Sequence, residues 1–175
     1  MGHTDIGILP ESLAELMPVK KVLEERTFRK IYCSDLKRCR ETLDWIYPSS
    51  TGSVVFDRCL REMDFGEWEG LTYDQLRNSE VYRKWLDNPQ SVTPPGGESW
   101  VHFQGRLTDF INSLTAWAQD ESKDNRVLVV THGGVIRQLA AMTISGSAFW
   151  DFWAEPGSLF TLKLALEGGK WIGYL

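Results

Sequence analysis

Several features that would place a protein in a specialised class are absent from this sequence. Three cysteines are too few, and odd in number, for a disulfide scaffold. No apolar run approaches the roughly 18 residues that a membrane-spanning helix needs, and the N-terminus lacks the basic and apolar regions of a secretory signal. We therefore expect a cytoplasmic protein that neither enters a membrane nor is secreted.

Metal-binding and nucleotide-binding motifs are also missing. The chain has three histidines and contains no Cys-x-x-Cys, His-Glu-x-x-His, Walker A or Gly-x-Gly-x-x-Gly pattern. Its formal net charge is −5, from 19 basic and 24 acidic residues, and no basic block or stripe stands out. We therefore expect no metal, no cofactor and no nucleic-acid partner. An anionic ligand would have to be bound by a few local residues.

The order of strand-like and helix-like segments predicts one layered α/β domain over residues 1–175. The chain is 42% hydrophobic, which suffices for a core, and it has no internal repeat or linker. The apolar run at 127–130 is typical of a parallel strand buried on both faces. The predicted strands are 30–33, 54–56 and 127–130, the predicted helices are 36–46, 72–77, 81–86, about 99–118 and 135–143, and a C-terminal hairpin covers 159–166 and 170–174.

Two strand-to-helix junctions could bind an anion. Arg38 falls in the first helical turn after the first strand, where we expect Ser34 or Asp35 to cap the helix. His132 follows the run at 127–130 and precedes two glycines. In open α/β sheets, ligands bind where strands end and helices begin. An arginine fork and a histidine at such junctions are typical of a phosphate site. Taken without further context, ordinary helix capping is the simpler interpretation.

The loop at 62–70 carries a candidate proton donor. Burial of Glu62 among the aromatic side chains of Phe65 and Trp68 would raise its pKa and allow it to protonate a leaving alkoxide. A solvated acidic loop is the competing interpretation.

A second aromatic segment, 149–153, is apolar enough for either the core or a contact surface, and we expect the core.

Five segments, in order along the chain, resemble motifs of the histidine phosphatase superfamily, the phosphoglycerate mutase-like enzymes. They correspond to a substrate loop, a helix start, a general-acid loop, the start of a long helix and a second histidine motif. They are Gly2-His3-Thr4-Asp5-Ile6, Tyr32 through Arg38 with Thr42, Leu60 through Leu71, Pro95 through Ser99, and Val129 through Gly134.

The resemblance implies a three-layer αβα fold with a mostly parallel sheet. It implies a phosphomonoesterase that acts on a small phosphorylated substrate, without metal, through a phosphohistidine intermediate. In this scheme Arg38 clamps the phosphate, Glu62 acts as general acid and later as base, and His132 is a phosphate ligand. The substrate-binding positions implied are Gly2, His3, Arg38, His132 and Gly133.

One part of the family pattern is missing. The family's first strand ends in Arg-His-Gly, whose histidine is the nucleophile, and this sequence contains no such tripeptide. His3 falls in the segment that resembles the substrate loop, so it is a poor replacement. A strand and loop of roughly twenty residues would be needed before Met1. We expect the chain as given to be inactive, and to leave an open sheet edge beside 127–130 that promotes self-association.

Two explanations of the missing strand stay open. Either Met1 is an internal methionine of a longer, active enzyme, or the protein is a pseudoenzyme; we favour the first because the other site residues are present.

The stretch from Trp85 to Ser99 resembles the α-ribazole phosphatase branch, which acts late in cobalamin biosynthesis. The alternatives are a cofactor-dependent phosphoglycerate mutase and a catalytically dead module that binds a phosphorylated ligand.

Overall fold

The computed structural model describes residues 1–48, 54–115 and 125–175. The strands are β1 (Lys30–Cys33), β2 (Val54–Phe56), β3 (Val127–Val130), β4 (Lys163–Glu167) and β5 (Lys170–Tyr174). The α-helices are α1 (Met17–Glu24), α2 (Lys37–Ile46), α3 (Tyr73–Leu76), α4 (Glu80–Asp87), α5 (Trp100–Ser113) and α6 (Gly133–Thr143). Short 3-10 helices cover Pro10–Ala14, Arg58–Leu60, Gly66–Trp68 and Phe149–Asp151. None of these described helices is long and apolar enough to cross a membrane.

β1 lies at the centre of a parallel sheet with the order β2-β1-β3. Ile31 of β1 pairs with Val54 on one side and with Leu128 on the other. β4 and β5 form a separate antiparallel hairpin. Its turn consists of Gly168 and Gly169, with φ of +56° and +79°, which glycine adopts without steric cost.

Apolar side chains cover both faces of the parallel sheet. On one face, Ile31 packs in a cluster with α1 and α2 that includes Leu43. On the other face, Tyr32 packs in a second cluster with α5 and α6, through residues such as Leu107 and Val135. Successive residues of a strand point to opposite faces, so helices cover both sides. The predicted αβα arrangement is confirmed.

Most of the predicted elements are present, with differences at their ends. The hairpin begins at Lys163 rather than at residue 159, and residues 10–24, which carry no predicted element, form a 3-10 helix and α1. The predicted end of the long helix near 118 lies outside the described residues. In the aromatic segment 149–153, Phe152 is buried, but Trp150 and Trp153 are 58% and 75% exposed. The core prediction is wrong for these two tryptophans. The chain is extended at Phe152, so Trp153 points to the side opposite the buried Phe152. Trp150 lies on the solvent side of the 3-10 helix Phe149–Asp151.

β3 forms an edge of the described parallel sheet. The carbonyl oxygens of Arg126 and Val130 accept hydrogen bonds from residues that flank β1. The backbone groups of Val127 and Val129 therefore point away from β1. Among residues 1–48, 54–115 and 125–175, no strand pairs with β3 on that side. Val127 and Val129 are only half-buried, so burial on both faces, expected from the apolar run, is incomplete at this edge.

Candidate active site

The two junction residues meet at one edge of the sheet. Arg38 lies in the first turn of α2, and His132 lies between β3 and α6. Because β1 and β3 are adjacent and parallel, their carboxyl ends face the same side. The Nε of Arg38 donates a hydrogen bond to Nδ1 of His132 at 3.3 Å. The pairing of these two residues, 94 positions apart in the chain, follows directly from the strand order.

His132 is a buried, neutral histidine. Burial first, and then the neighbouring Arg38 guanidinium, lowers its pKa to about 3. Since Nδ1 accepts from Arg38, Nε2 carries the proton, and Ser34 Oγ, 3.0 Å away, accepts it. The thiol of Cys39 also lies 3.4 Å from Nε2. His132 therefore presents one N–H donor and no positive charge at neutral pH.

The start of α2 is capped by a distant residue. The backbone N–H of Lys37 donates to Oδ1 of Asp5 at 2.6 Å. Asp35, one of the two expected caps, accepts two hydrogen bonds of 2.6 Å from Arg61. This charge-assisted fork is stronger than a neutral cap and, with burial opposing it, lowers the pKa of Asp35. The capping prediction for Ser34 and Asp35 is therefore wrong.

Glu62 approaches the first turn of α6. Its Oε2 accepts the backbone N–H of Gly134 at 2.9 Å, and its Oε1 accepts that of Met63. A Cβ at position 134 would lie 2.3 Å from Glu62 Oε1, so only glycine permits this approach. Gly133 is also restricted, because a Cβ there would meet the carbonyl oxygen of Ala154 at 3.1 Å. Gly134 thus lets Glu62 reach the start of α6, two residues after His132.

The N-terminal segment closes over Arg38. The guanidinium donates to the carbonyl oxygens of Gly2, at 2.6 Å, and Thr4, at 2.9 Å. A Cβ at Gly2 would lie 1.8 Å from the carbonyl oxygen of Met63. His3 points its Nδ1 to Asp64 Oδ2 at 3.3 Å. The predicted residues Gly2, His3, Arg38, Glu62, His132 and Gly133 therefore come together in one region.

A carboxylate that sequence reasoning does not single out holds this segment. Glu69 accepts backbone hydrogen bonds from Gly2, His3 and Phe65, at 2.8 to 3.1 Å, and a side-chain hydrogen bond from Thr4 at 2.6 Å. Burial by itself would raise the pKa of Glu69, but the hydrogen bonds from Thr4, His3, Phe65 and Gly2 outweigh it and lower the pKa to about 2. No local pattern distinguishes Glu69 from the other acidic residues of its loop.

A second unpredicted residue, Arg106 on α5, fixes the loop before Glu62. It donates to the carbonyl oxygens of Cys59, Arg61 and Glu62 at 2.6 to 2.9 Å. It also pairs with both carboxylate oxygens of Glu98, at 2.7 and 2.9 Å. The three carbonyl partners lie 44 to 47 positions away along the chain, so helical periodicity gives no sign of them.

No group of three or more metal-ligating side chains occurs in the part of the chain that the structure describes.

A family model, the histidine phosphatase superfamily (branch 1), matches residues 1–174. The chain belongs to the histidine phosphatase superfamily. The resemblance that the five sequence segments indicate is thereby confirmed.

Relatives within the superfamily include several phosphatases. The adenosylcobalamin/alpha-ribazole phosphatase of Salmonella typhimurium is 27% identical over 89% of this chain and 77% of its own. The glucosyl-3-phosphoglycerate phosphatase of Mycobacterium tuberculosis is 31% identical over 91% and 80%. The crystal structure of the alpha-ribazole phosphatase from Shigella flexneri, 23% identical, superposes with a TM-score of 0.82 over 98% of this chain and 84% of that one. The predicted class, a phosphatase family of hydrolases, is confirmed.

Proposed function

We propose that this protein is a phosphomonoesterase for a small phosphorylated substrate, whose phosphoryl group binds where β1 and β3 end. The observation that carries the proposal is the contact of Arg38 with His132, beside the Glu62 carboxylate on Gly134. An arginine fork, an imidazole N–H and a carboxyl group can bind a phosphoryl group and transfer a proton. The phosphatase names of the relatives support the same reaction class.

Arg38 keeps donors available for a phosphoryl group. A guanidinium has five N–H bonds, and three of them donate to His132, Gly2 and Thr4. Two N–H bonds are then left for phosphoryl oxygens. His132 adds one N–H donor, which can exchange Ser34 for a phosphoryl oxygen. The bound dianion would raise the low pKa of His132 and favour its protonated form.

Glu62 serves the leaving group in this scheme. As a carboxylic acid it protonates the leaving alkoxide, and as a carboxylate it then activates the water that attacks the phosphorylated enzyme. In a protein that also contains the nucleophilic histidine, we expect Glu62→Gln to lower phosphate release from benzyl phosphate by a factor of about 100 or more, because the leaving alkoxide has to be protonated. Glu67→Gln, which alters an exposed acid of the same loop, should leave the rate unchanged. Equal rates for Glu62→Gln and the parent protein would contradict this role.

The nucleophile is the part of the scheme that these 175 residues do not supply. The resemblance assigns it to an Arg-His-Gly histidine, and the sequence has none. We infer that these 175 residues by themselves form no phosphohistidine. Mass spectrometry of the chain after incubation with p-nitrophenyl phosphate tests this inference. We expect no phosphoryl adduct and no release of p-nitrophenol. An adduct on a histidine would contradict the inference, and phosphate binding without an adduct would favour a binding module.

The proposed substrate is α-ribazole 5′-phosphate, in cobalamin biosynthesis. Phosphatases named for this ester stand among both the sequence relatives and the structural neighbours. In a protein that contains the nucleophilic histidine, phosphate release from this ester should exceed release from glucosyl-3-phosphoglycerate, the substrate in the name of another relative. Interconversion of 3-phosphoglycerate would instead favour a mutase; one relative, from Arabidopsis thaliana and 34% identical, is named phosphoglycerate mutase-like protein 4.

A further inference from the structure

A small aromatic cavity opens next to Glu62. Its volume is about 150 Å³, and Glu62 and Gly134 lie on its wall, whereas Arg38 and His132 do not. The Glu62 carboxyl group therefore stands between the proposed phosphate position and the cavity. The aromatic rings that line the cavity are those of Phe65, Trp85, Trp100, Phe103, Phe149 and Trp150.

Arg137 brings a guanidinium to the same cavity. It lies one turn into α6, lines the cavity and has no ion-pair or hydrogen-bond partner among the described residues. Its Nε is buried without a hydrogen-bond partner. The guanidinium lies 5.9, 5.5 and 6.0 Å from the ring centroids of Phe149, Trp150 and Trp153. Aromatic faces hold a cation in place but accept its N–H bonds poorly, so these donors are available to a ligand.

The tryptophans around Arg137 are unusually exposed. Trp150 and Trp153 have 58% and 75% of their surface open to solvent. Large aromatic side chains are ordinarily buried in cores or at contact surfaces. Exposure of two of them, on either side of an arginine without an acidic partner, is typical of a surface that binds a ligand.

We propose that this cavity, with Arg137 and Trp150, is the subsite for the leaving group of the substrate. The subsite takes a flat ring, and Arg137 donates to a hydrogen-bond acceptor or anion on that ring. A cavity of about 150 Å³ is large enough for one benzene-sized ring. The substrate class is then phosphomonoesters of alcohols that carry a planar aromatic ring. The inference rests on the proposed function, since the ring reaches the cavity only if the phosphoryl group lies at Arg38 and His132.

Binding of substrate-like phosphonates tests the subsite. Benzylphosphonate and propylphosphonate resist hydrolysis at their C–P bonds, and inorganic phosphate lacks any leaving group. By calorimetry we expect benzylphosphonate to bind about tenfold more tightly than propylphosphonate, because the ring stacks on aromatic walls. Trp150→Ala should reduce this ratio to about twofold and leave the affinity for inorganic phosphate unchanged. Tyr174→Ala removes a similarly exposed ring from β5 and should preserve the tenfold ratio.

A second test ligand examines whether the N–H donors of Arg137 bind an anion on the ring. A carboxylate at the para position of benzylphosphonate should tighten binding to the parent protein by about fivefold, as a charge-assisted pair. Arg137→Gln should abolish this gain. Arg83→Gln, which removes the same charge from an exposed position on α4, should retain it.

The outcomes separate the subsite from the proposed function. If inorganic phosphate binds but benzylphosphonate shows no advantage, or the advantage survives Trp150→Ala, the subsite is overturned and the phosphoryl site stands. If the para carboxylate tightens binding equally in Arg137→Gln, the role of Arg137 is overturned. If neither phosphate nor either phosphonate binds, the phosphoryl site itself is overturned, and the subsite with it.

Discussion

At the scale of single residues, Glu69 connects the N-terminal segment to the candidate site. Its carboxylate accepts hydrogen bonds from Gly2, His3, Thr4 and Phe65. Gly2 and Thr4 in turn accept hydrogen bonds from Arg38. Glu69 therefore positions the guanidinium without touching it, through the backbone of the N-terminal segment.

Substitution of Glu69 by glutamine tests this role. The amide oxygen of glutamine accepts hydrogen bonds more weakly than a carboxylate does. The NH₂ group of the same side chain would face N–H and O–H donors, with which it cannot form hydrogen bonds. We expect Glu69→Gln to lower the free energy of unfolding at pH 7 by about 2 kcal/mol. Denaturant titration measures this change. Glu67→Gln, an exposed neighbour on the same loop, serves as the control, and an equal effect of both substitutions would contradict the assignment.

The same carboxylate makes stability depend on pH. The pKa of Glu69 falls from its ordinary value of 4.5 to about 2 on folding. A lowered folded pKa means that the unfolded chain binds the proton more readily, so the stabilisation is complete above about pH 5 and is lost as the pH falls toward 2. The difference between the parent protein and Glu69→Gln should therefore shrink over this range. A difference that stays constant from pH 7 to pH 2.5 would argue against it.

Arg106 is the residue whose loss should disturb the Glu62 loop. Its side chain is mostly buried, as is that of Glu98, and removal of one partner leaves the other without its counter-charge. Lysine cannot reach three carbonyl oxygens and a carboxylate together. We expect Arg106→Lys to lower the free energy of unfolding by about 2 to 3 kcal/mol. A double-mutant cycle with Glu98→Gln should give a coupling of about 1 kcal/mol or more, and strict additivity would show that the pair does not act as a unit.

At the scale of elements, the open edge of β3 is the feature with the largest consequence. Val127 and Val129 direct backbone N–H and C=O groups away from β1, and no other strand of the described ranges pairs with them. Unpaired edges of apolar strands add strands from other molecules. The separate hairpin of β4 and β5 packs Leu164 and Trp171 against the same core cluster as Val127, so the two sheets share a core without sharing a ladder.

We predict that this edge causes the chain to self-associate. Light scattering should show a mass that rises with protein concentration. Val127→Lys places a charge at the half-buried edge and should reduce this rise, since lysine at an edge opposes strand addition. Val101→Lys makes the same change at a position of α5 that is 73% exposed, and should have no effect. A monomeric parent chain at all concentrations would contradict the prediction.

At the scale of the whole molecule, the candidate phosphoryl site joins distant parts of the chain. The N-terminal segment, α2 and the start of α6 all contribute to the contacts of Arg38. A ligand that binds there stabilises the folded chain by mass action, by about 2.7 kcal/mol at a hundredfold excess over its Kd.

Thermal unfolding in the presence of phosphate measures this linkage. The melting temperature of the parent protein should rise with phosphate concentration, and Arg38→Ala should abolish the rise. Arg40→Ala is a matched control, because Arg40 lies on the exposed side of the same helix. A rise that persists in Arg38→Ala would place phosphate elsewhere.

Local sequence alone determined the elements that carry the site. The runs at 30–33 and 127–130 and the helical stripes that follow them predict β1, α2, β3 and α6, because strand and helix periods are expressed within a few neighbouring residues. Gly168 and Gly169 predict the hairpin turn for the same reason. The rule that ligands bind where parallel strands end then marked Arg38 and His132 as candidates, whereas the adjacency of β1 and β3 is seen only in the structure.

Tertiary structure alone decided which polar groups pair. The cap of α2 comes from Asp5, 32 residues before Lys37, and the clamp on Gly2 comes from Glu69, 67 residues away. Arg106 and Arg137 show no special local pattern, yet one holds the Glu62 loop and the other lines the aromatic cavity. Hydrogen bonds and ion pairs act over about 3 Å in space and carry no period along the chain. Their partners are therefore known only once the chain has folded.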